Sequence, residues 1–566
     1  MKNPENTTTI AMKRTQIFLI LILFFGAIFR LWGLGKIPEG FHADEAAFGY
    51  NAYSLLKTGK DEYGKPMPLI LRSFDDYKGA VYSYLTVPFV ASFGLNEFSV
   101  RLPTSIAGTL IVLVSAVMTF ALTQNILLSL VTATIVSFAP SSLLLSRVQS
   151  DPLVAVLFML VGWYCIEKYV DSKKHIWAVC GLGFWIMSCF TYASPRILLL
   201  GFVPLLFWYY LPKLDKKMKL VLAAIFVSIL LATIYLMFGS SGSRFGQVNI
   251  FSSQDVMLSL NEQIREDGVA GSTIVSTRMY HNKIVDYGRY IIHNYATYFG
   301  FDFLFFQAYQ PEREKIPNTG FMYFIDLPFL LIGLYQIIKL KKRWGYFILG
   351  WFFFTPLTLA VFGQETPNIH RYYFSILPGS MVVAFGIIQC IKFTHKNIRL
   401  FVILGIIVMY GLNILFFTHE LFVHQPLHAP YYRGFAYKEM VRSLPNIYQN
   451  YDKIVITKTN SSPYIYLLFY MGYNPKRYQE LGSPRDYDYT GFDKYIFVPL
   501  DCPNVKYRKT IDEQYPNNRV LYINKGGCAT MTDSKLIQRI VWRDGSEAFQ
   551  FVENVSTESA KNTPIP

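Results

Sequence analysis

Apolar runs long enough to be helices recur along the first three quarters of the chain, with short polar connections between them. A bilayer core takes about 20 apolar residues per helix, and on that measure the pattern predicts about eleven spans. They fall at residues 16–35, 100–122, 126–145, 152–169, 175–193, 196–211, 219–238, 321–339, 345–362, 372–391 and 400–417. Gly and Pro within several of them are compatible with membrane helices. Two longer stretches, 36–99 and 239–320, are mixed in character. From residue 419 the pattern changes again: DKIVITK, KYIFVPL and RVLYIN read as strands, SSPYIYLLFYMG as a helix, and Arg543-Asp544-Gly545 as the turn of a hairpin. The reading is a mainly α polytopic membrane domain over 1–418, a small external α/β domain over 419–552 and a disordered tail over 553–566. No internal repeat of fixed period is present.

Charge gives this pattern a direction. Lys13 and Arg14, Lys173 and Lys174, the lysines at 213, 216, 217 and 219, then Lys339, Lys341, Lys342, Arg343, Lys392, Lys396 and Arg399 all fall on alternate connections. The connections on the other side carry the single cations Arg147, Arg196 and Arg371. The positive-inside rule makes the first side cytoplasmic, so 36–99, 239–320 and everything past about 418 are expected outside. The run after Lys13 and Arg14 has no small-residue cleavage pattern and reads as a retained first span. A formal net charge of +15 would raise nucleic acid as a partner in a soluble protein. Here the cations follow membrane topology, no aromatic-basic module accompanies them, and nucleic acid is not expected. Of six cysteines, Cys165, Cys180, Cys189 and Cys390 lie in apolar segments and read as small buried groups. Cys502 and Cys528 lack zinc-like spacing and are expected to pair if the tail meets an oxidising compartment.

The candidate chemistry begins at PEGFHADEAAFG, residues 38–49, just past the first span. Asp44 and Glu45 form an acid pair there, with His42 two residues earlier. Charge at a membrane edge costs free energy to hold and points to function. The plain alternative is that Asp44 caps the helix expected over Glu45 to Leu56. A second pair, Asp75 and Asp76, lies in SFDDYKGAVYSYL, where Asp75 reads as a solvated turn residue and the aromatic segment is expected along the membrane surface. Arg147, Arg196 and Arg371, with Asp151 and Lys78, all fall on the external side. Singly each arginine reads as an interfacial residue snorkelling to headgroups; together with the acid pair they suggest a polar cavity that handles an anion. In 239–320, GSSGSRFG reads as flexible, and YGRYIIHNYATYFGFDFLFFQ as an amphipathic element that either covers a site or rides fixed on the interface.

HADEAAFGYNAYSLL, DDYKGAVYSYL, VRLPTSIAGTL and SRVQSDPLVAVLFML, in this order, resemble the protein O-mannosyltransferase and aminoarabinose transferase group, polytopic glycosyltransferases of the GT-C class related to glycosyltransferase family 39. The resemblance covers roughly residues 15–400. It implies a GT-C-like fold and transfer of a sugar from a polyprenyl-phosphate donor at the external face. It places the catalytic base at Asp44 with Glu45 as companion, Lys78 of the K-x-x-x-Y stretch near the lipid phosphate, and Asp151 at the second acidic position. Arg101 matches an arginine with a structural role, and Arg147, Arg196 and Arg371 match further donor-phosphate positions. His42, Asp76, Tyr82, Asp151 and Tyr192 are expected substrate contacts. The extended repeats of eukaryotic protein mannosyltransferases are missing, which favours a bacterial or archaeal plasma membrane and counts against protein among the three acceptor kinds, lipid, glycan and protein.

General chemistry agrees with that assignment. Fixed cations stabilise a phosphate leaving group as charge grows on it, and a carboxylate can take the acceptor hydroxyl's proton. Asp44, Asp76 and Asp151 offer the hard oxygen ligands that Mg or Mn takes, but members of this group are not generally thought to need a metal, and no cofactor is expected. Two-carboxylate hydrolysis is disfavoured because no second catalytic acid is evident. Two other readings stand beside the transferase: an oligosaccharyltransferase-like or glycan-polymerising enzyme, and a non-enzymatic lipid-linked sugar flippase. A flippase would carry charge at mid-bilayer in both halves, often with repeat symmetry; here the charges sit at one face.

Overall fold

A computed structural model describes residues 4–554 apart from 75, 239–249, 253, 308–310, 363–364, 429–430, 460, 482–489, 517 and 530. The chain divides into two compact units, Met1–Trp32 with Thr104–Glu420, and Gly33–Pro103 with Leu421–Pro566. The sequence reading joins the loop 36–99 to the membrane part; in the structure residues 33–103 cluster with the C-terminal segment.

A helix overlies each predicted span. These helices are Pro4–Leu31, Glu97–Thr123, Ile126–Phe138 with Pro140–Leu145, Asp151–Ser172, His175–Thr191, Ser194–Tyr210, Lys216–Phe238, Asp326–Leu340, Arg343–Leu359, Ile376–Phe393 and Arg399–His419. Among the described residues six helices are long and apolar enough to cross a membrane. The others fall short for local reasons. The span expected over 126–145 is broken at Pro140, which has no N–H to donate and holds Ala139 in a non-helical conformation at ψ 137°. In this first unit the core is aromatic: Trp163 lies 5.4 Å from Phe347 and 5.7 Å from Trp351, centroid to centroid. Gly162 lets Trp185 approach, since a Cβ there would sit 2.5 Å from the indole. Residues 250–305 form short helices, as their charge pattern predicts, at Gln254–Val269, Ile274–Tyr280, Lys283–Thr297 and Phe301–Phe305. The GSSGSRFG stretch lies outside the described residues.

The second unit begins with the helix Ala43–Thr58, ended by Gly59 in the left-handed conformation at φ 68°. The segment after Gly59 turns back on itself. It is an antiparallel hairpin, β1 (Ile70–Ser73) and β2 (Asp76–Gly79), with Leu71 opposite Lys78, and then the helix Val81–Phe93. The hairpin escapes a periodicity search because each strand has only four residues.

In the C-terminal segment β3 (Lys453–Thr457), β5 (Tyr495–Val498) and β6 (Val520–Lys525) fall where the pattern puts them, β7 (Ser534–Val541) and β8 (Glu547–Asn554) flank the expected hairpin, and the two-residue β4 (Gly491–Phe492) was not expected. They form one sheet in the order β4-β5-β3-β6-β8-β7, parallel where β3 meets β5 and β6, antiparallel elsewhere. The hairpin predicted at Arg543-Asp544-Gly545 joins β7 to β8, with Gly545 at φ 84°. Residues 553 and 554, expected in a disordered tail, complete β8; the rest of that tail lies outside the described residues. The helix Pro463–Tyr470 is buried along seven residues, and its Phe469 packs 4.7 Å from Phe41. Gly49 permits this, because a Cβ there would lie 2.7 Å from the Phe469 ring.

Cys502 and Cys528 are joined by a disulfide across 26 residues, tying the turn after β5 to the end of β6. Closing a loop of that length stabilises by about 3 kcal/mol in the chain-entropy account. Cys502→Ser should therefore weaken the sheet by about that amount, read as faster hydrogen exchange of the β6 and β8 amides in the full-length protein.

Candidate functional site

The two consecutive acids have opposite surroundings. Glu45 is sealed, its side chain 3% exposed, between two guanidinium groups that are themselves 1% exposed. Arg101 Nε donates to its Oε1 at 3.0 Å, and Arg433 Nη2 to its Oε2 at 2.6 Å. The remaining Arg101 donors hold the chain that leads into the helix: Nη1 reaches the Leu34 and Pro38 carbonyls at 3.1 Å each, and Nη2 the Gly40 carbonyl at 2.6 Å. Gly40 is at φ 85°, and a Cβ there would lie 2.6 Å from Arg433 Cβ, so only glycine fits.

Asp44 is not the helix cap. That position belongs to His42, whose Nδ1 accepts the Asp44 N–H at 3.2 Å while its own N–H donates to Glu45 Oε2 at 3.0 Å. The Asp44 carboxylate is thereby left for another use. It is 27% exposed and ion-paired to Lys78, with His42 Nδ1 3.4 Å away. Lys78 is only 8% exposed. The hairpin delivers its ammonium to Asp44 and sets it over the rings of Phe74 at 5.1 Å and Phe48 at 5.9 Å.

Other expected site residues are distributed as follows. Tyr82 is fully buried; its hydroxyl donates to the Val100 carbonyl at 2.7 Å and its ring packs on Phe48, so it holds the site together from behind. Asp76 pairs with Ser73 at the hairpin end, and Asp75 lies outside the described residues. In the first unit, Arg147 is fully buried and donates to the carbonyls of Phe29, Arg30 and Trp32, which terminate the first helix. Arg196 donates to the Cys189 carbonyl at 3.1 Å and the Leu236 carbonyl at 3.5 Å. Asp151 opens its helix beside Gln149, whose Nε2 donates to it at 3.3 Å. Arg371 lies 5.0 Å from the Phe362 ring centre. Arg371 and Tyr192 both act electrostatically on Tyr298, which brings these two expected residues to one neighbourhood.

Three groups escape a reading of the sequence. Arg433 sits in YYRGFA with no periodicity to single it out. Ser150, the cap before Asp151, lies 3.1 Å from His370 Nδ1, and His370 Nε2 lies 3.4 Å from Glu314 Oε1, a buried chain assembled from three distant segments. Glu62 is buried next to the helix Ala43–Thr58; its N–H donates to Asn51 Oδ1 at 3.0 Å and its Oε1 accepts from Asn51 Nδ2 at 3.2 Å. Burial pushes the Glu62 carboxyl up to about 8, against the pull of the Asn51 amide. The only sequence signal was the adjacent acids Asp61 and Glu62.

Comparison with known proteins now gives the class. Residues 20–240 match the family model described as dolichyl-phosphate-mannose-protein mannosyltransferase. That match bears out the resemblance read from the sequence and points to a glycosyltransferase. With the membrane helices it makes the chain a multi-pass membrane protein. Among solved structures the chain is similar to ArnT from Cupriavidus metallidurans in the apo state, with a TM-score of 0.53 and 10% identity over 98% of this chain and 100% of that one. The same protein bound to undecaprenyl phosphate aligns with a TM-score of 0.48 and 10% identity over 95% and 98%. At that identity the likeness to the apo structure bears on the fold alone. No curated protein matches the chain significantly.

Two predictions follow from these buried charges. Arg433→Met leaves Glu45 with one partner fewer in a sealed site and should destabilise the fold by about 3–5 kcal/mol, measured by denaturant titration of the full-length protein in lipid. Glu62 works in the other direction with pH. Its folded value lies above its unfolded one, so between about pH 4.5 and 8 the native state binds the extra proton and stability falls as pH rises, by up to about 1.4 kcal/mol per unit. Glu62→Gln should flatten that slope in melting curves taken from pH 5 to 8.

Proposed function

We propose that this protein transfers a sugar from a polyprenyl-phosphate donor to a hydroxyl-bearing acceptor at the external membrane face, with Asp44 as general base. The observation that carries the reading is the division of labour at the acid pair: Glu45 is neutralised and closed off, while Asp44 is partly open and held by the ammonium of Lys78. The family description names a polyprenyl-phosphate sugar, dolichyl-phosphate-mannose, which supports that donor class. The Cys502–Cys528 disulfide supports an oxidising, external location for the C-terminal segment.

In this chemistry the acceptor hydroxyl gives its proton to an Asp44 carboxylate oxygen as its own oxygen forms a bond to the anomeric carbon. The anomeric carbon–oxygen bond to the phosphate breaks, and the electron pair leaves on the polyprenyl phosphate. Lys78 stabilises the charge that grows there. The aromatic rings around its ammonium keep that cation poorly hydrated, which strengthens its pull on an anion. Within the second unit His42, beside Asp44, contacts substrate. Lipid, glycan and protein all remain within the acceptor class.

Asp44→Asn keeps the size of the side chain and removes the base. It should lower turnover by about 10²–10⁴ in an assay of polyprenyl-phosphate release from a panel of radiolabelled polyprenyl-phosphate sugars, with the protein in lipid. Near-normal release by that variant sinks the assignment. Movement of labelled lipid across the bilayer without donor consumption would instead make the protein a flippase.

A further inference from the structure

The second unit holds a cleft of about 450 Å³ apart from the Asp44–Lys78 pair. That volume is within the range of ligand pockets, roughly 300–1,000 Å³. Its lining includes Lys36, Glu39, Glu97, Lys438, Tyr470 and Arg543. Lys36 directly follows the first predicted span, and Glu97 opens the helix Glu97–Thr123, one of the six apolar enough to cross a membrane. By chain position the cleft therefore opens at a membrane–water boundary.

We infer that this cleft binds a neutral saccharide, and, resting on the transferase reading above, that this saccharide is the acceptor. The charges already present are mostly paired with one another. Glu39 is held by Arg543 through two bonds of 2.5 Å, and Glu97 Oε1 accepts both from Lys438 Nζ at 2.5 Å and from Tyr470 Oη at 3.2 Å. Two polar groups stay open among the described residues: the Lys36 ammonium has no ion-pair partner, and Glu97 Oε2 has no hydrogen bond. Each carboxylate of the lining has a cation beside it, and Lys36 is the one in excess. A hydroxyl both donates and accepts, so a polyol satisfies the ammonium and the carboxylate at once. The Tyr470 ring adds an apolar surface of the kind a sugar's C–H face covers. Further along the wall, Arg442 and Glu439 lie 3.7 Å apart, a loose pair whose donors and acceptors can turn to a ligand.

The cleft is also wired to the acid pair. Gly40, on its wall, has its carbonyl fixed by the same Arg101 guanidinium that neutralises Glu45. An occupant that shifts the 36–40 segment therefore pulls on the chain that leads to Asp44.

The test is binding, measured apart from turnover. Full-length protein in lipid nanodiscs is titrated with neutral di- and trisaccharides of glucose, mannose, galactose and N-acetylglucosamine, and with inorganic phosphate, by ligand-detected saturation-transfer NMR. At least one neutral saccharide should bind, about tenfold more weakly to Lys36→Gln and to Glu97→Gln, the worth of one charge-assisted hydrogen bond. Arg442→Gln, an exposed change that spares the fold, should weaken the same saccharide. No saccharide binding, binding that none of the three cleft variants weakens, or binding of phosphate alone each overturns the cleft. Binding without turnover of any donor overturns the transferase reading and leaves the cleft standing, and turnover without cleft-dependent binding does the opposite.

Discussion

The constraint on which the second unit turns is a single buried carboxylate. Glu45 carries a full negative charge in a place with almost no water, and a charge so placed is tolerated only when paired and hydrogen-bonded. Arg101 and Arg433 supply the pairing, and they come from opposite ends of the sequence: Arg433 is 388 residues from Glu45. The triad therefore does what a covalent crosslink would do, fastening the start of the helix Ala43–Thr58 to the segment that precedes the sheet. It leaves one excess positive charge, and the Leu34, Pro38 and Gly40 carbonyls absorb it by accepting from Arg101. The price of this arrangement is intolerance: no member can be removed without stranding a charge.

Consecutive residues on a helix point about 100° apart, and this explains how neighbouring acids come to such different ends. Once Glu45 turns inward to the arginines, Asp44 is turned out of that site. The cap position belongs to His42, so capping is not what places the Asp44 carboxylate. Its partner comes instead from β2, and the hairpin's register, Leu71 opposite Lys78, sets which side of the ribbon that lysine takes. Four residues of strand are enough, because Lys78 is clamped by Phe48 and Phe74 as well as by its ion pair. The position of the open acid is thus inherited from the sealed one: Glu45 fixes the helix, and the helix presents Asp44.

Most of this architecture was legible in the chain, and the divisions between what was and was not have physical causes. Membrane helices announce themselves by apolar length, so each expected span has its helix, and the fault at Pro140 is a backbone effect at one residue within such a run. β3, β5 and β6 were legible for a similar reason, each being an apolar β-branched or aromatic run. The hairpin 70–79 was too short for periodicity to register. The acid pair stood out because charge beside hydrocarbon is unusual, but which acid would be sealed depended on Arg433, and nothing in YYRGFA marks an arginine as the partner of a residue near the other end of the chain. Ion pairs between distant segments are tertiary facts, and the Ser150–His370–Glu314 chain was hidden for the same reason.

The same distinction governs the three lone arginines that flank the spans. A count of cations on one side of a membrane cannot tell a guanidinium that awaits an anion from one that already has acceptors. Arg147 has them: three carbonyls at the end of the first helix, groups that a helix C-terminus always leaves without intrahelical partners. Arg101 and Arg433 are similarly committed, to a carboxylate. Lys78 differs because its anion, Asp44, is the partly exposed member of the set, so this pair has a surface that solvent reaches. Burial of the partner, more than burial of the cation, separates a structural charge from an available one.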